Sequence, residues 1–266
     1  MNLSTLCPQV VALTKEVGAF QRLEVARFDR TVTEFKGAPN NLVSFVDKES
    51  EKMLVAGLSG LLPEAGFITE EGTVEQAQNQ EFVWVIDPLD GTTNFMHGYA
   101  YFTISVGLLQ NGVPVLGVIY DPSHEEAFYG WQGGGAFCNG LPMHVSAVRS
   151  LGESLLSCGF PYKPGTQRQA YLNLLVEIME TTHGFRRLGS AAIDLAYVAR
   201  GWFEGFFEYQ LNSWDMAAGV LLIREAGGVV TDFAGGENFL FGGNVIGAAA
   251  GVHDELRALV VRHMGN

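Results

Sequence analysis

Cysteine is scarce in this chain of 266 residues: three thiols, Cys7, Cys138 and Cys158, lie far apart with no Cys-x-x-Cys pair. That spacing argues against a disulfide framework and gives a zinc site no support, so the thiols read as buried groups in a reducing compartment. Charged residues are also few, 17% of the chain, and basic ones fewer still, with 16 Lys and Arg against 29 Asp and Glu. The net charge of −13 repels nucleic acid and anionic membranes, so direct contact with either is not expected. No apolar run approaches the ~18–20 residues of a membrane span. The first twenty residues lack the basic start and apolar stretch of a secretory signal, so the expected location is the cytoplasm. Neither an internal repeat nor a low-complexity tract is present.

What the chain has is apolar bulk and glycine. Hydrophobic residues make up 47%, as in a well-packed globule, and the 33 glycines predict many tight turns and close backbone approaches. Val10, Leu13, Val17 and Phe20 recur at three- and four-residue steps, which predicts a helix reaching about Phe28. Gly37, Pro39 and Asn40-Asn41 then mark a loop over 31–41, and a second helix is predicted from about Ser44 to Leu62, stopped by Pro63. Phe82–Ile86 reads as a strand buried on both faces that ends abruptly in Asp87-Pro88-Leu89-Asp90-Gly91. Residues 102–109 and 113–120 read as a hairpin through Asn111-Gly112, with further strands at 125–131 and 136–145, the latter folded at Asn139-Gly140. Beyond Gly152, helices at 168–181, 190–200 and 213–226 alternate with strands at 185–188, 203–209 and 228–233. A strand at 244–249 and a helix at 253–263 close the chain. An antiparallel region followed by a mixed one predicts a stacked α+β sandwich. The expected organisation is one domain over 1–266, with an N-terminal half of about 1–150 and a C-terminal half of about 151–266.

Four acidic positions stand out by their placement. Asp87 ends a buried strand, and Asp90 follows after a stiffening proline. Glu70, of the Glu70-Glu71 pair, follows the short apolar strand Gly66-Phe67-Ile68. Asp215 opens a helix behind Ser213 as the expected N-cap. Each alone has an ordinary explanation in turn or helix-dipole chemistry. The run Asp87-Pro-Leu-Asp90-Gly-Thr-Thr93, however, has a chance frequency on the order of one in 10⁵ for a chain of this size. An Asp-x-x-Asp turn can present two carboxylates and an intervening carbonyl, that of Leu89, to hard divalent cations such as Mg²⁺. Gly91, Thr92 and Thr93 follow with backbone N–H groups suited to cradling a phosphate if a helix begins there. Two Mg²⁺ ions neutralise the four carboxylates, and a third makes the pocket positive, which reconciles an acidic protein with an anionic substrate.

Trp84-Val-Ile-Asp-Pro-Leu-Asp-Gly-Thr-Thr-Asn-Phe-Met-His97 and Trp214-Asp-Met-Ala-Ala-Gly219, followed by Glu225-Ala-Gly-Gly228, resemble the two defining motifs of the inositol monophosphatase family. The resemblance extends through Lys36, Asp47, Glu70-Glu71 and the run Arg186 to Tyr197, so it covers nearly the whole chain, and the bacterial inositol-1-monophosphatases are the most similar members. It implies a layered α-β-α-β-α sandwich of the sugar-phosphatase type, a homodimer and lithium sensitivity. It also implies Mg²⁺-dependent release of inorganic phosphate from myo-inositol monophosphate by a metal-activated water.

By this resemblance Glu70, Asp87 and Leu89 hold one ion, and Asp87, Asp90 and Asp215 another. Asp47 orients Thr92, which works with Glu70 on the attacking water. Asp90, Asp215 and Glu208 accept from ring hydroxyls, Ala191 offers its backbone N–H, and Arg186 reaches the substrate or a subunit contact. Three positions depart from common family patterns: Asn212-Ser213 before Trp214, Glu204 for a frequent Asp, and Thr69 for a frequent Gly. None removes a metal ligand, but the first leaves the leaving group open. Fructose 1,6-bisphosphate, histidinol phosphate or a 3′-phosphonucleotide are alternative substrates for the same chemistry. A regulatory protein-binding role is the alternative of a different class, since some family members associate with the transcription machinery.

Overall fold

Leu6, Val10, Thr14, Val17 and Gln21 are buried at steps of three and four, so a single stripe of the first helix faces inward. A computed structural model describes residues 1–25, 27, 45–160 and 167–265, and the backbone alone at 34–35 and 42–43. Lys36 and most of the expected loop over 31–41 lie outside these described residues.

The chain begins with α1 (Leu3–Val25), the short antiparallel pair β1 (Glu34–Phe35) and β2 (Leu42–Val43), and α2 (Phe45–Leu61). A seven-stranded sheet follows: β3 (Gly66–Thr69), β4 (Phe82–Asp90), then after α3 (Thr92–His97) β5 (Thr103–Gln110), β6 (Val113–Asp121), β7 (Glu126–Trp131), β8 (Gly135–Cys138) and β9 (Leu141–Pro142). Its strand order is chain order; β3 and β4 are parallel and every later pair is antiparallel. Asn111 and Gly112 take φ values of 50° and 81°, the left-handed pair that a tight hairpin between twisted strands requires.

The second half runs β10 (Leu156–Cys158), α4 (Arg168–Thr181), β11 (Phe185–Arg186), α5 (Ala191–Arg200), β12 (Gly205–Glu208) and α6 (Ser213–Glu225). It ends with β13 (Val229–Thr231), α7 (Phe239–Gly242), β14 (Val245–Ala248) and α8 (His253–Met264). Its five strands lie in the order β11-β10-β12-β14-β13, parallel on the first side and antiparallel on the other. Strand β10, absent from the sequence reading, is three residues long and wholly buried, too short for any periodicity to register.

Three apolar cores order these elements into layers. One joins α1 and α2 to a face of the seven-stranded sheet through Val10, Leu54, Trp84 and Val118. The next lies between the sheets, where Val85 and Phe128 meet Leu195 of α5 and Met216 and Ile223 of α6. The third packs α4 and α8 against the five-stranded sheet through Leu174, Phe207 and Leu256. The result is the expected α-β-α-β-α sandwich, with α5 and α6 in the middle layer. No helix of the described residues is long and apolar enough to cross a membrane.

Helix α6 lies unusually close to the sheet. A Cβ on Gly107 would stand 2.7 Å from Ala217 Cβ, and one on Gly117 would stand 2.7 Å from the Ala218 carbonyl oxygen. Two glycines on adjacent strands thus let the helix that carries Asp215 rest on β5 and β6. Gly117→Ala is expected to cost about 1–3 kcal/mol by overpacking, read as a lower denaturation midpoint. Gly60→Ala, on the exposed face of α2 where a Cβ meets nothing within 4 Å, is expected to stabilise by up to about 1 kcal/mol. A Gly117→Ala protein as stable as the wild type would mean that α6 tolerates lifting from the sheet.

Candidate active site

The centre of the site is an irregularity in β4. Its register with β5 is regular from Phe82 opposite Gln110 to Asp87 opposite Ser105, then resumes with Asp90 opposite Thr103. Three residues are spent on β4 for two on β5, a β-bulge at Pro88-Leu89, where proline has no N–H to give the ladder. Side chains three apart on a regular strand point to opposite faces; the extra residue puts Asp87 and Asp90 on the same one. The sequence reading ended this strand at Ile86 in a turn, whereas the structure carries it to Asp90 with the distortion inside it.

Asp215 reaches the same point from the first turn of α6, and carboxylate oxygens of Asp87, Asp90 and Asp215 lie within 4.8 Å of one another. The cap of α6 is Asn212 rather than Ser213: the Asn212 N–H donates to Asp215 Oδ2 at 2.6 Å, and Ser213 is the first helical residue, buried. Glu70 is not one of these three; it stands on the loop after β3, and its carboxyl hydrogen-bonds Asp87. The Leu89 N–H donates to Asp87 Oδ1 at 3.0 Å. The Ser190 hydroxyl and the Ala192 N–H each donate to Asp90 Oδ2 at 2.7 Å. The Ala191 N–H is also directed at Asp90.

Burial first, then the charges of Glu70, Asp90 and Asp215, hold the Asp87 carboxyl well above the usual carboxylate range. Burial, together with the Asp90 and Glu208 charges, pushes Asp215 up to about 8 against the pull of Asn212. Burial raises Asp90 to about 6, offset by its hydrogen bonds from Ala192 and Ser190 and by Arg187. These groups cannot all ionise together without a countercharge. A set of oxygen donors, Asp87 buried and Asp90 and Asp215 half-buried, that is short of positive charge suits a hard divalent cation, so the residues present fit the expected metal.

Helix α3 does begin at Thr92, with Gly91 as its left-handed cap at φ 96°. The Thr92 hydroxyl lies 2.9 Å from Asp47 Oδ1 and 3.1 Å from the Leu89 carbonyl oxygen. Beside the carboxylates opens a cavity of about 210 Å³, lined by Asp90, Ala191, Glu208 and Asp215 among others. Glu208 is pushed up to about 8 by burial and by Asp90, against the pull of Arg187. A Cβ at Gly159 would overlap the Glu208 carboxyl, so the room for that side chain depends on glycine there.

Arg186 is not brought to this cavity. It is exposed and donates to the carbonyl of Phe185, while Arg187 lines the cavity with its guanidinium 5.7 Å over the Phe160 ring. The strand alternation holds the missed signal: Arg186 at the end of β11 faces out, so its successor faces in. Asp194 on α5 was also missed. It is buried, lines the cavity, and its Oδ1 has no hydrogen-bond partner among the described residues.

A small cavity beside clustered carboxylates, set between the two sheets of an α-β-α-β-α sandwich, defines a class of protein whose site could hold a metal ion and a small polar ligand. The chain belongs to the inositol monophosphatase family, which it matches over residues 2–265. It is 41% identical over 235 residues to an inositol-1-monophosphatase of Mesorhizobium japonicum, covering 88% of this chain and 85% of that one. It is 42% identical over 207 residues to the Nus factor SuhB of Escherichia coli, covering 78% of each. The solved structure of inositol monophosphatase from Anabaena matches it with a TM-score of 0.87 and 35% identity, over 99% of this chain and 98% of that one. Family membership is consistent with phosphate monoester hydrolysis.

The raised carboxyls set a pH dependence. Folded Asp90, Asp215 and Glu208, at about 6, 8 and 8, bind protons that the unfolded chain, near 3.8 to 4.5, has released. Without divalent cations, stability is therefore expected to fall as pH rises from about 4 to about 8 and then to level. Added Mg²⁺ should restore stability, by more at pH 8 than at pH 5, because it competes with those protons. Melting temperatures across that range, with Mg²⁺ and with chelator, read the effect. A Mg²⁺ increment independent of pH would contradict it.

Proposed function

We propose that this protein is a Mg²⁺-dependent phosphatase that hydrolyses myo-inositol monophosphates. The observation that carries the reading is the convergence of Asp87, Asp90 and Asp215 beside a cavity that also receives Glu208. In this reading Glu70, Asp87 and the Leu89 carbonyl hold one ion, and Asp87, Asp90 and Asp215 hold another, with Asp87 shared. Bound Mg²⁺ supplies charge neutralisation, polarises the phosphate and acidifies water.

The protein's own groups do the positioning. The single hydroxyl hydrogen of Thr92 is engaged by Asp47 and the Leu89 carbonyl, which turns its lone pairs outward to accept from a water. Glu70 accepts from the opposite side of that water, so its oxygen is held for in-line attack on phosphorus. The new P–O bond forms as the ester P–O bond breaks. The attacking water gives up a proton on the Glu70 side, and a proton from water completes the leaving alkoxide, so the two hydrogens of one water end on the phosphate and the alcohol overall. The Gly91, Thr92 and Thr93 backbone N–H groups face the phosphate, while Asp90, Asp215 and Glu208 accept from the polyol hydroxyls. The Ala191 N–H, directed at Asp90, holds that acceptor in place. Lithium sensitivity, a homodimer and a cytoplasmic location rest on the resemblance and the sequence alone.

A second reading has one specific support: relatives at 42% identity are called Nus factor SuhB. A regulatory role with a protein partner is compatible with the first, since Glu70, Asp87, Asp90 and Asp215 are all present. A panel of phosphate esters assayed with and without Mg²⁺ tests the first, both as a phosphatase and in its inositol substrate. Activity on inositol 1-phosphate exceeding that on fructose 1,6-bisphosphate, histidinol phosphate and a 3′-phosphonucleotide is the expected result. Preference for another ester would end the inositol reading and keep the phosphatase; inactivity on all would end both.

Thr92→Ala is expected to lower turnover at least a hundredfold, while loss of a mere helix cap would cost about 1 kcal/mol of stability with turnover retained. Glu208→Ala is expected to lower kcat/KM for inositol 1-phosphate by about 10- to 100-fold, the worth of one charge-assisted hydrogen bond, and for glycerol 2-phosphate much less. Equal losses on the two esters would remove Glu208 from the selectivity pocket.

A further inference from the structure

Glu70 lies outside any helix or strand, and both sides of it are tied down. Its own N–H donates to the Ile86 carbonyl at 3.3 Å, against the strand that carries Asp87. The next N–H, of Glu71, donates to Glu51 Oε2 at 2.7 Å. Glu51 is fully buried on α2, and its other oxygen, Oε1, accepts from the Thr69 hydroxyl at 2.9 Å and from both the N–H and the hydroxyl of Thr73 at 2.7 Å. Donors on either side of Glu70 therefore converge on one carboxylate. Only a carboxylate can accept on both oxygens at once; the amide of glutamine would turn an N–H donor against either Glu71 or Thr73.

We propose that Glu51 is a positioning residue: by latching the loop over 69–73 it sets the reach of the Glu70 carboxylate toward Asp87, and thereby the Mg²⁺ affinity of the site. The inference rests on the reading of Glu70 and Asp87 as ligands of a common ion. It adds a residue that touches neither metal nor substrate.

Mg²⁺ binding to the purified full chain, measured by calorimetry without substrate, tests it. Glu51→Gln is expected to weaken Mg²⁺ binding about tenfold. The decisive comparison is with Glu70→Gln: if Glu51 acts through Glu70, the double variant binds Mg²⁺ no more weakly than Glu70→Gln alone, whereas independent effects multiply. A merely structural role would lower the melting temperature without producing that non-additivity. Thr73→Val, at the exposed end of the loop, removes one of the four donors without disturbing α2 and is expected to weaken binding two- to threefold. It carries the same comparison if Glu51→Gln does not fold. Wild-type Mg²⁺ affinity in these variants, or losses that multiply with Glu70→Gln, would overturn the positioning role. Undiminished Mg²⁺ affinity in Glu70→Gln itself would overturn the shared-ion reading, and the positioning role with it.

Discussion

Like charges crowded at the edge of a cavity, with little water to separate them, are the constraint on which this architecture turns. Asp87, Asp90 and Asp215 bring carboxylate oxygens within 4.8 Å of one another, with Glu70 hydrogen-bonded to Asp87 alongside. Such a group is unfavourable in the folded chain unless its protons are kept or a cation is present, and Asp87, Asp90 and Asp215 sit accordingly above their ordinary range. The surrounding backbone has to hold the carboxylates against that repulsion. The β4 bulge and the close seat of α6 on Gly107 and Gly117 both serve that end, one by aiming two side chains to the same face and the other by delivering a third.

Helix α2 ties several segments of the site together through one polar edge. Asp47, Ser50 and Glu51, at positions i, i+3 and i+4, are all buried. Asp47 holds Thr92 at the start of α3, and Ser50 accepts from Gln21, which also donates to the Pro88 carbonyl at 2.7 Å inside the bulge. Glu51 holds the loop bearing Glu70. A single helix face thus registers three chain segments that are distant in sequence. Buried polar groups of this kind are costly unless fully partnered, so the arrangement ties local order at the site to the folding of the whole first layer.

A stacked sandwich, both Asn-Gly hairpins and the Asp87-Asp90 pair were legible before any coordinates from periodicity, turn chemistry and an improbable run of residues. The five-layer order and the ligand set that includes Asp215 came from the family resemblance. What escaped were features set by pairing across space. The bulge exists only in the register between β4 and β5, so Asp87-Pro88-Leu89-Asp90 read as a turn. Strand β10 is a strand because its parallel neighbours β11 and β12 make it one. Asn212 caps α6 through a backbone bond to Asp215, which a reading by residue type assigned to Ser213. That Arg187 rather than Arg186 lines the cavity depends on which way one short edge strand faces.

The two sheets divide the proposed work. Every group that would bind metal or handle water, apart from Asp215, comes from the first sheet and the helices beside it: Asp47, Glu70, Asp87, Leu89, Asp90 and Thr92. Of the groups that would meet the rest of a substrate, Asp90 also lies on the first sheet, while Glu208 ends a strand of the second and Arg187, lining the same cavity, follows its edge strand. Asp215 crosses between the two, since it rides on the helix seated against the first sheet yet lies beside Glu208 in the cavity. In that reading hydrolysis of a phosphate ester would depend on the first set. Its members are held against their mutual repulsion by the bulge, the seat of α6 and shared partners, and so leave little room for change. Selectivity would depend on the second set, where the glycine that admits Glu208 and the direction of Arg187 shape the cavity. Substrate preference can therefore drift across a family while the carboxylates stay fixed.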